Sequence, residues 1–318
     1  MNKNINSKFL KTPLNYTGNK FRILNEIFKV MPDKCDVFVD LFCGGGSIGV
    51  NYNAKKIFMI DTNEKVINLL SYLSKQNFDK LYKKISLLIY KYNLTFSYEN
   101  TYKFYKNKID YSNQSLNNGL KSLNQEGFYK MREDYNKIKN KNTDRANILL
   151  YILMIYSFNN DLRFNSKGFF NLPVGKTDMN KQNILKLKNF LNTIINSEII
   201  FIISDFRSEE VRNILEIADV IYADPPYLGT TAFYNSTPPW TIVEEKYLLK
   251  LSKEMANKNK KFYISNVIKK NEVEERFLCE FIEENDYKVY NINYHYRSAS
   301  YNKKNRKQIE QEVLIEAI

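Results

Sequence analysis

Residues 37–47 read Val-Phe-Val-Asp-Leu-Phe-Cys-Gly-Gly-Gly-Ser, an apolar run that carries one acid, Asp40, and breaks on three consecutive glycines. β-Branched and aromatic residues dominate the run, and it is too short for a helix, so it reads as a buried strand. The glycines mark a tight turn where a ligand can approach the backbone. Ser47 is placed to cap a following helix. A second strand, Lys56–Ile60, ends at Asp61, 21 residues beyond Asp40. A carboxylate at such a strand end accepts hydrogen bonds from ribose hydroxyls.

This pattern alone suits a dinucleotide, S-adenosylmethionine, or merely a tight turn in an α/β protein. Two details favour S-adenosylmethionine. Asp40 sits beside the loop, where it can meet a positively charged methionyl amine. The spacing Gly44, Gly46 and Gly49 satisfies Gly-x-Gly-x-x-Gly, but Gly45 and Ser47 crowd the turn, and a sulfonium cofactor needs no pyrophosphate fingerprint. Phe42, Gly44, Gly46, Ser47, Asp40 and Asp61 are the resulting cofactor candidates.

Outward from this centre, Lys20–Val30 has helical periodicity. From 63 to 158 helical patterns rich in Lys, Tyr and Asn dominate, with a polar, loop-like patch over Ser112–Gly127. Strand and helix then alternate: helix Lys181–Ile195, strand Ile199–Ile203, helix Glu209–Glu216, strand Val220–Ala223. Helix Val243–Asn257, strand Lys261–Ser265, helix Glu272–Glu283 and strands Tyr287–Tyr294 and Glu310–Glu316 complete the chain. Repeated strand–helix units predict an α/β fold with a mostly parallel sheet, helices on both faces, and a closing antiparallel hairpin. Residues 1–62 and 159–318 then form one catalytic domain, and 63–158 an inserted, mainly helical subdomain of the kind that often carries recognition.

The second informative stretch is Val220-Ile221-Tyr222-Ala223-Asp224-Pro225-Pro226-Tyr227. Prolines cannot continue a strand, so the last four residues stand at its carboxyl end, where open α/β sheets bind ligands. An adenine amine is a poor nucleophile because its lone pair is delocalised into the ring. Asp224 can accept one amine hydrogen and the Pro225 carbonyl, held by the Pro225–Pro226 turn, the other. Together they would aim the lone pair at a sulfonium methyl. Tyr227 can stack on an extruded base. The bland reading is a proline turn with Asp224 as a local cap.

Taken in order, these segments resemble the Dam-type DNA adenine N6-methyltransferases along most of the chain. Pro13–Lys20 is similar to the family's N-terminal cofactor motif, which implies roles for Tyr16, Gly18 and Lys20 at the cofactor and for Asn15 at DNA. Ser204-Asp205-Phe206 resembles the acidic motif beside the cofactor's adenine. Phe128-Tyr129 with Arg132 and Asn136, and Arg163-Phe164-Asn165 with Gly168–Gly175, resemble recognition signatures. Ile264-Ser265-Asn266, Arg297-Ser298 and Arg306-Lys307 complete the set. The resemblance implies a Rossmann-like methyltransferase fold, with the subdomain 63–158 reading sequence in duplex DNA and an adenine flipped for methylation; GATC is one plausible target. Asn15 stands where many relatives carry lysine, and Tyr16 where they often carry tryptophan. An asparagine there would prefer an adenine edge.

The bulk properties are compatible. The 318 residues carry a net charge of +13, which suits a polyanion, although an A/T-rich coding sequence would supply as many lysines. Lys130, Lys137 and Lys139 lie in a basic stretch, Lys130–Arg145, readable as DNA-facing or as a solvated face. A hydrophobic share of 43% and an aromatic share of 14% support a packed core. Three cysteines and a single histidine, His295, offer no metal-ligand spacing, so no metal is expected. No membrane span or signal segment is evident, and a cytoplasmic protein is expected. Its partners would be double-stranded DNA and, if it guards a site, a cognate restriction endonuclease. Rival readings keep the fold with RNA adenine or the N4 of cytosine as acceptor, or make the chain a silent DNA-binding protein.

Overall fold

Side chains alternate along each strand and so divide the molecule into two cores. The computed structural model describes residues 9–109, 118–194, 198–228, 240–270, 273–274, 276–292 and 310–318. Its strands are β1 (Cys35–Leu41), β2 (Ala54–Asp61), β3 (Glu198–Ile203), β4 (Val220–Ala223), β5 (Lys261–Lys270), β6 (Val273–Glu274), β7 (Tyr287–Asn291) and β8 (Glu310–Ala317). The helices are α1 (Leu24–Val30), α2 (Glu64–Ser74), α3 (Phe78–Lys91), α4 (Ser97–Asn100), α5 (Tyr102–Lys106) and α6 (Lys121–Lys137). They continue with α7 (Asp144–Tyr156), α8 (Lys181–Ile194), α9 (Glu209–Ile217), α10 (Ile242–Asn257) and α11 (Arg276–Glu284).

The sheet order is β3-β2-β1-β4-β5-β8-β7, with β6 paired to the end of β5. The first five strands are parallel, and β8 runs antiparallel to both neighbours. This is the mixed, mostly parallel α/β sheet that the sequence predicted, Rossmann-like in its parallel part. The closing strands do pair antiparallel, but β8 inserts between β5 and β7 instead of lying outside both. The reason is burial: Val313, Leu314 and Ile315 of β8 are inaccessible, so β8 needs cover on both faces. β7, whose residues are all half-buried or exposed, tolerates the edge.

Phe38, Val220 and Tyr222 point into one core with α1, α2, α3, α7 and α8. Val39, Leu41, Ile221 and Ala223 point into the other with α9, α10 and α11. The predicted helix Lys20–Val30 is split, a 3-10 turn at 20–22 preceding α1. Ser47 caps no helix: a single 3-10 turn, Gly49–Asn51, follows the glycines, and its cap position is Ile48 without a side-chain bond. The start predicted for the helix at Glu272 moves to Arg276, because Val273–Glu274 pairs back onto β5.

The helical stretch after β2 is ordered around α7, whose residues 146–156 are all buried. α2 lies against β2 and β3, whereas α3 and α6 pack on α7. The loop-like reading of Ser112–Gly127 fails from Lys121 onward, because Lys121–Gly127 forms the first turns of α6. Local propensity misleads here: Gly127 lets α6 pass so close to α3 that an added Cβ would sit 1.9 Å from the Tyr92 carbonyl oxygen. Gly127→Val is therefore expected to destabilise the protein by about 3 kcal/mol through overpacking, measured as a lower urea midpoint with unchanged slope.

Candidate active site

Parallel register brings the candidate residues to one edge. Asp40 pairs with Tyr222, and Leu41 with Ala223. The chain leaving β4 stays tethered, Asp224 N–H donating to the Leu41 carbonyl at 3.2 Å. β2 is linked likewise, Cys43 N–H donating to the Ile60 carbonyl at 2.9 Å. Asp40, Asp61, Asp205 and Asp224 thus stand at or just beyond the carboxyl ends of β1, β2, β3 and β4.

The glycine loop is shaped by close approach. Tyr16 lies on Gly44 and Gly45, where added Cβ atoms would come within 2.6 Å of its ring and 2.7 Å of its Cβ respectively. Gly44 and Gly46 adopt φ of +47° and +77°, a region glycine enters without steric cost. Phe42 adopts φ +67° without that freedom, a strained geometry of the kind found at ligand sites. Its ring meets Phe206 at 5.1 Å and Trp240 at 5.5 Å. Asp61 accepts from Gly44 N–H at 2.9 Å and Asn63 N–H at 2.8 Å, and burial outweighs these donors to raise its pKa. Asp205 is held by Arg207, Nε donating at 2.8 Å, which lowers its pKa. Gly18, at φ +83°, has open space about its Cα, and Ser47 is buried.

Asp40 is 1% exposed and accepts from Gly49 N–H at 2.8 Å, closing the glycine loop from inside. Burial pushes its pKa up from 3.8 to about 8. The folded protein therefore keeps a proton that the unfolded chain releases near pH 4, so this contribution to stability is lost as pH rises between those values. The ligand-free protein should lose thermal stability from about pH 4 to pH 8. Melting curves of Asp40→Asn should show a shallower loss; an unchanged slope would contradict it.

The Asp224–Tyr227 turn is locked by Lys20. Its ammonium lies 2.9 Å from Asp224 Oδ1 and donates to the Tyr227 hydroxyl at 2.8 Å; it also pairs with Glu312 at 3.4 Å. The Tyr227 hydroxyl in turn donates to Asp224 Oδ1 at 3.2 Å. Burial alone would lower the Lys20 pKa, but Asp224, Tyr227 and Glu312 overcome it and hold it well above its ordinary value. Asp224 is drawn both ways: burial raises its pKa and Lys20 restrains the rise. Pro225 is buried and Pro226 half-buried.

The residues predicted to touch DNA divide into two groups. Lys130, Lys137 and Lys139 are exposed on and just beyond α6, Lys137 pairing with Glu133 at 2.7 Å. Arg132 and Asn136 are turned inward. Arg132 Nη1 donates to the Leu172 carbonyl at 3.0 Å. Asn136 donates to the Phe170 carbonyl at 3.1 Å and accepts from Phe170 N–H at 2.9 Å. They clamp a hairpin in which Phe164 bridges Phe170, and whose tip Asn165 braces by accepting from the N–H groups of Lys167 and Phe169. Arg163 is exposed beside it, its Nε on Asn171 at 3.0 Å, and Phe169 projects. Tyr129, Arg132, Asn136, Lys137 and Phe169 line an open groove of 520 Å³. Asn15 is exposed and donates to the Asn159 carbonyl at 2.8 Å. Arg297, Arg306 and Lys307, with His295, lie outside the described residues.

Sequence reasoning missed Glu312, Trp240 and Glu245, and left Asn266 without a partner. Glu312 was unsuspected, although an acid within an apolar strand demands a partner. Trp240 sits against both Phe42 and Phe206, and its indole N–H donates to buried Glu245. Asn266 donates to the same carboxylate at 2.9 Å, tying α10 to β5. Among the described residues no metal-ligating cluster is found, and no helix is long and apolar enough to cross a membrane.

The model of the D12 class N6 adenine-specific DNA methyltransferases matches residues 16–300. The chain is 32% identical over 306 residues to the type II methyltransferase M.FokI of Planomicrobium okeanokoites, covering 94% of this chain and 42% of that protein. It is 29% identical over 314 residues to modification methylase StsI of Streptococcus sanguinis, covering 97% of this chain and 43% of that protein. With the DNA adenine methylase of Escherichia coli (strain K12) it shares 23% identity over 265 residues, 82% of this chain and 81% of that one. The chain thus spans less than half the length of the first two relatives.

Proposed function

The chain belongs to the D12 class of N6 adenine-specific DNA methyltransferases, and from that premise we propose that it methylates the N6 amine of adenine in a short duplex DNA site, drawing the methyl from S-adenosylmethionine. One observation carries the proposal: Asp224-Pro225-Pro226-Tyr227 stands at the end of β4 beside the glycine loop, with its acid engaged by a buried lysine.

The donor set fits the cofactor chemically. Asp40, Asp61 and Asp205 offer acceptors for an ammonium, a ribose and an adenine amine. Tyr16, Gly18, Phe42, Gly44, Gly46, Ser47 and Phe206 supply close backbone and aromatic faces. S-adenosylmethionine brings a methyl on a sulfonium and departs as the neutral thioether S-adenosylhomocysteine. Asp224 accepts one hydrogen of the flipped adenine amine and the Pro225 carbonyl the other, localising the nitrogen lone pair. Tyr227 stacks on the base. With S-adenosylmethionine bound, its sulfonium would supply the methyl to this lone pair, and Asp224 would take up the proton that the alkylated nitrogen sheds and pass it to solvent.

The helical segment 63–158 and the hairpin 163–171 form the proposed reading surface. Arg163, Asn165 and the exposed lysines 130, 137 and 139 face DNA, while Arg132 and Asn136 act by holding the hairpin. The names of the relatives support a restriction–modification setting with a cognate endonuclease, in the cytoplasm where DNA is met. The test is label transfer from radioactive S-adenosylmethionine to unmethylated duplex DNA, with RNA alongside. The expected product is N6-methyladenine in DNA alone. Transfer to RNA or cytosine would move the acceptor, and no transfer despite tight binding would sink the proposal.

A further inference from the structure

Glu312 is 3% exposed on β8, flanked by inaccessible Val313, and its carboxylate faces the ammonium of Lys20. That ammonium is bonded at 2.9 Å to the acid that must confront the substrate amine. Lys20 orients Asp224 but also neutralises it. Methyl transfer places positive charge on the adenine nitrogen, and a cation a few ångströms away opposes it. With Glu312 present, the trio Lys20, Asp224 and Glu312 carries one net negative charge; without it, none.

Resting on the methyltransferase reading, we infer that Glu312 is a positioning residue for transfer: it cancels the charge of Lys20, so that Asp224 stays oriented yet meets the amine as an effective anion. It acts through Lys20, whose ammonium pairs with both Glu312 and Asp224. Burial of two acids around one lysine is costly in itself, and an apolar residue on β8 would serve the sheet better. The placement therefore asks for a reason beyond packing.

The test compares single-turnover methyl transfer by wild type, Glu312→Gln, Glu312→Asp and the double variant Lys20→Met/Glu312→Gln, with DNA and S-adenosylmethionine saturating. Glu312→Gln, isosteric and neutral, should transfer about thirtyfold more slowly while binding both substrates with wild-type dissociation constants. Glu312→Asp should recover most of the rate. The double variant, which restores the net charge, should stay within about tenfold of wild type. It also decides the matter should Glu312→Gln fail to fold. A Glu312→Gln enzyme of wild-type rate, an aspartate variant no better than glutamine, a loss confined to binding, or an inactive but folded double variant would each overturn the inference. Inactivity of the wild type itself would instead strike the methyltransferase reading.

Discussion

Asp224→Asn should slow methyl transfer about a thousandfold while leaving the protein folded and able to bind S-adenosylmethionine. The argument turns on what an amide cannot do. Asp224 Oδ1 already receives Lys20 and Tyr227, so the amine of the base must be met by the carboxylate's remaining capacity. A carboxylate presents acceptors only, whereas an asparagine that keeps its oxygen on Lys20 turns its NH2 toward another NH2. It also offers no site for the proton shed after transfer. Single-turnover kinetics with pre-bound DNA separate this from weaker binding. A variant retaining a tenth of the wild-type rate would show that Asp224 is not the amine acceptor.

Lys20→Met should be the most destabilising single change at the site. It leaves Asp224 and Glu312 buried without their shared cation, and removing one partner of a buried pair costs about 3–5 kcal/mol. The loss should be larger at high pH, where Asp224 ionises, than at acid pH, where burial, which raises its pKa, keeps it protonated. The raised pKa of Lys20 has the matching sense: its stabilisation is complete below the ordinary lysine pKa and disappears only as the pH passes its higher folded value. Chemical denaturation of wild type and variant at two pH values measures this. A loss below about 1 kcal/mol at neutral pH would mean that water screens the pair more than its burial allows.

The parts of the fold and of the candidate site differed in how plainly the sequence carried them. The Asp224–Tyr227 turn and the glycine loop were legible because each is local: a strand, a break, and chemistry within a few residues. The order of the last strands was less so, because hairpin proximity suggests simple pairing, while the apolar residues 313–315 required β8 to be enclosed. Arg132 and Asn136 illustrate a further limit. Their types and basic surroundings suit DNA, but the backbone of Phe170 and Leu172 takes their hydrogen bonds, and no spacing rule announces a partner 34 or 40 residues away. Glu312 left only a faint trace, the alternation with Glu316 that puts both acids on one face of β8.

The insertion of β8 between β5 and β7 bears on how the molecule is made. A ribosome delivers β5 well before β8, and in the interval β5 has an open edge that β7 cannot close in the native order. Lys20, far upstream of β8, must wait for residue 312 to complete its ion cluster. The sheet and the charge balance of the Asp224–Tyr227 turn are therefore finished by the same strand, and the ion pair joins residues very far apart in sequence and is hence slow to form. A nascent chain short of β8 would have the parallel strands but not the acid that balances Lys20, so the ion cluster would close only after β8 emerges.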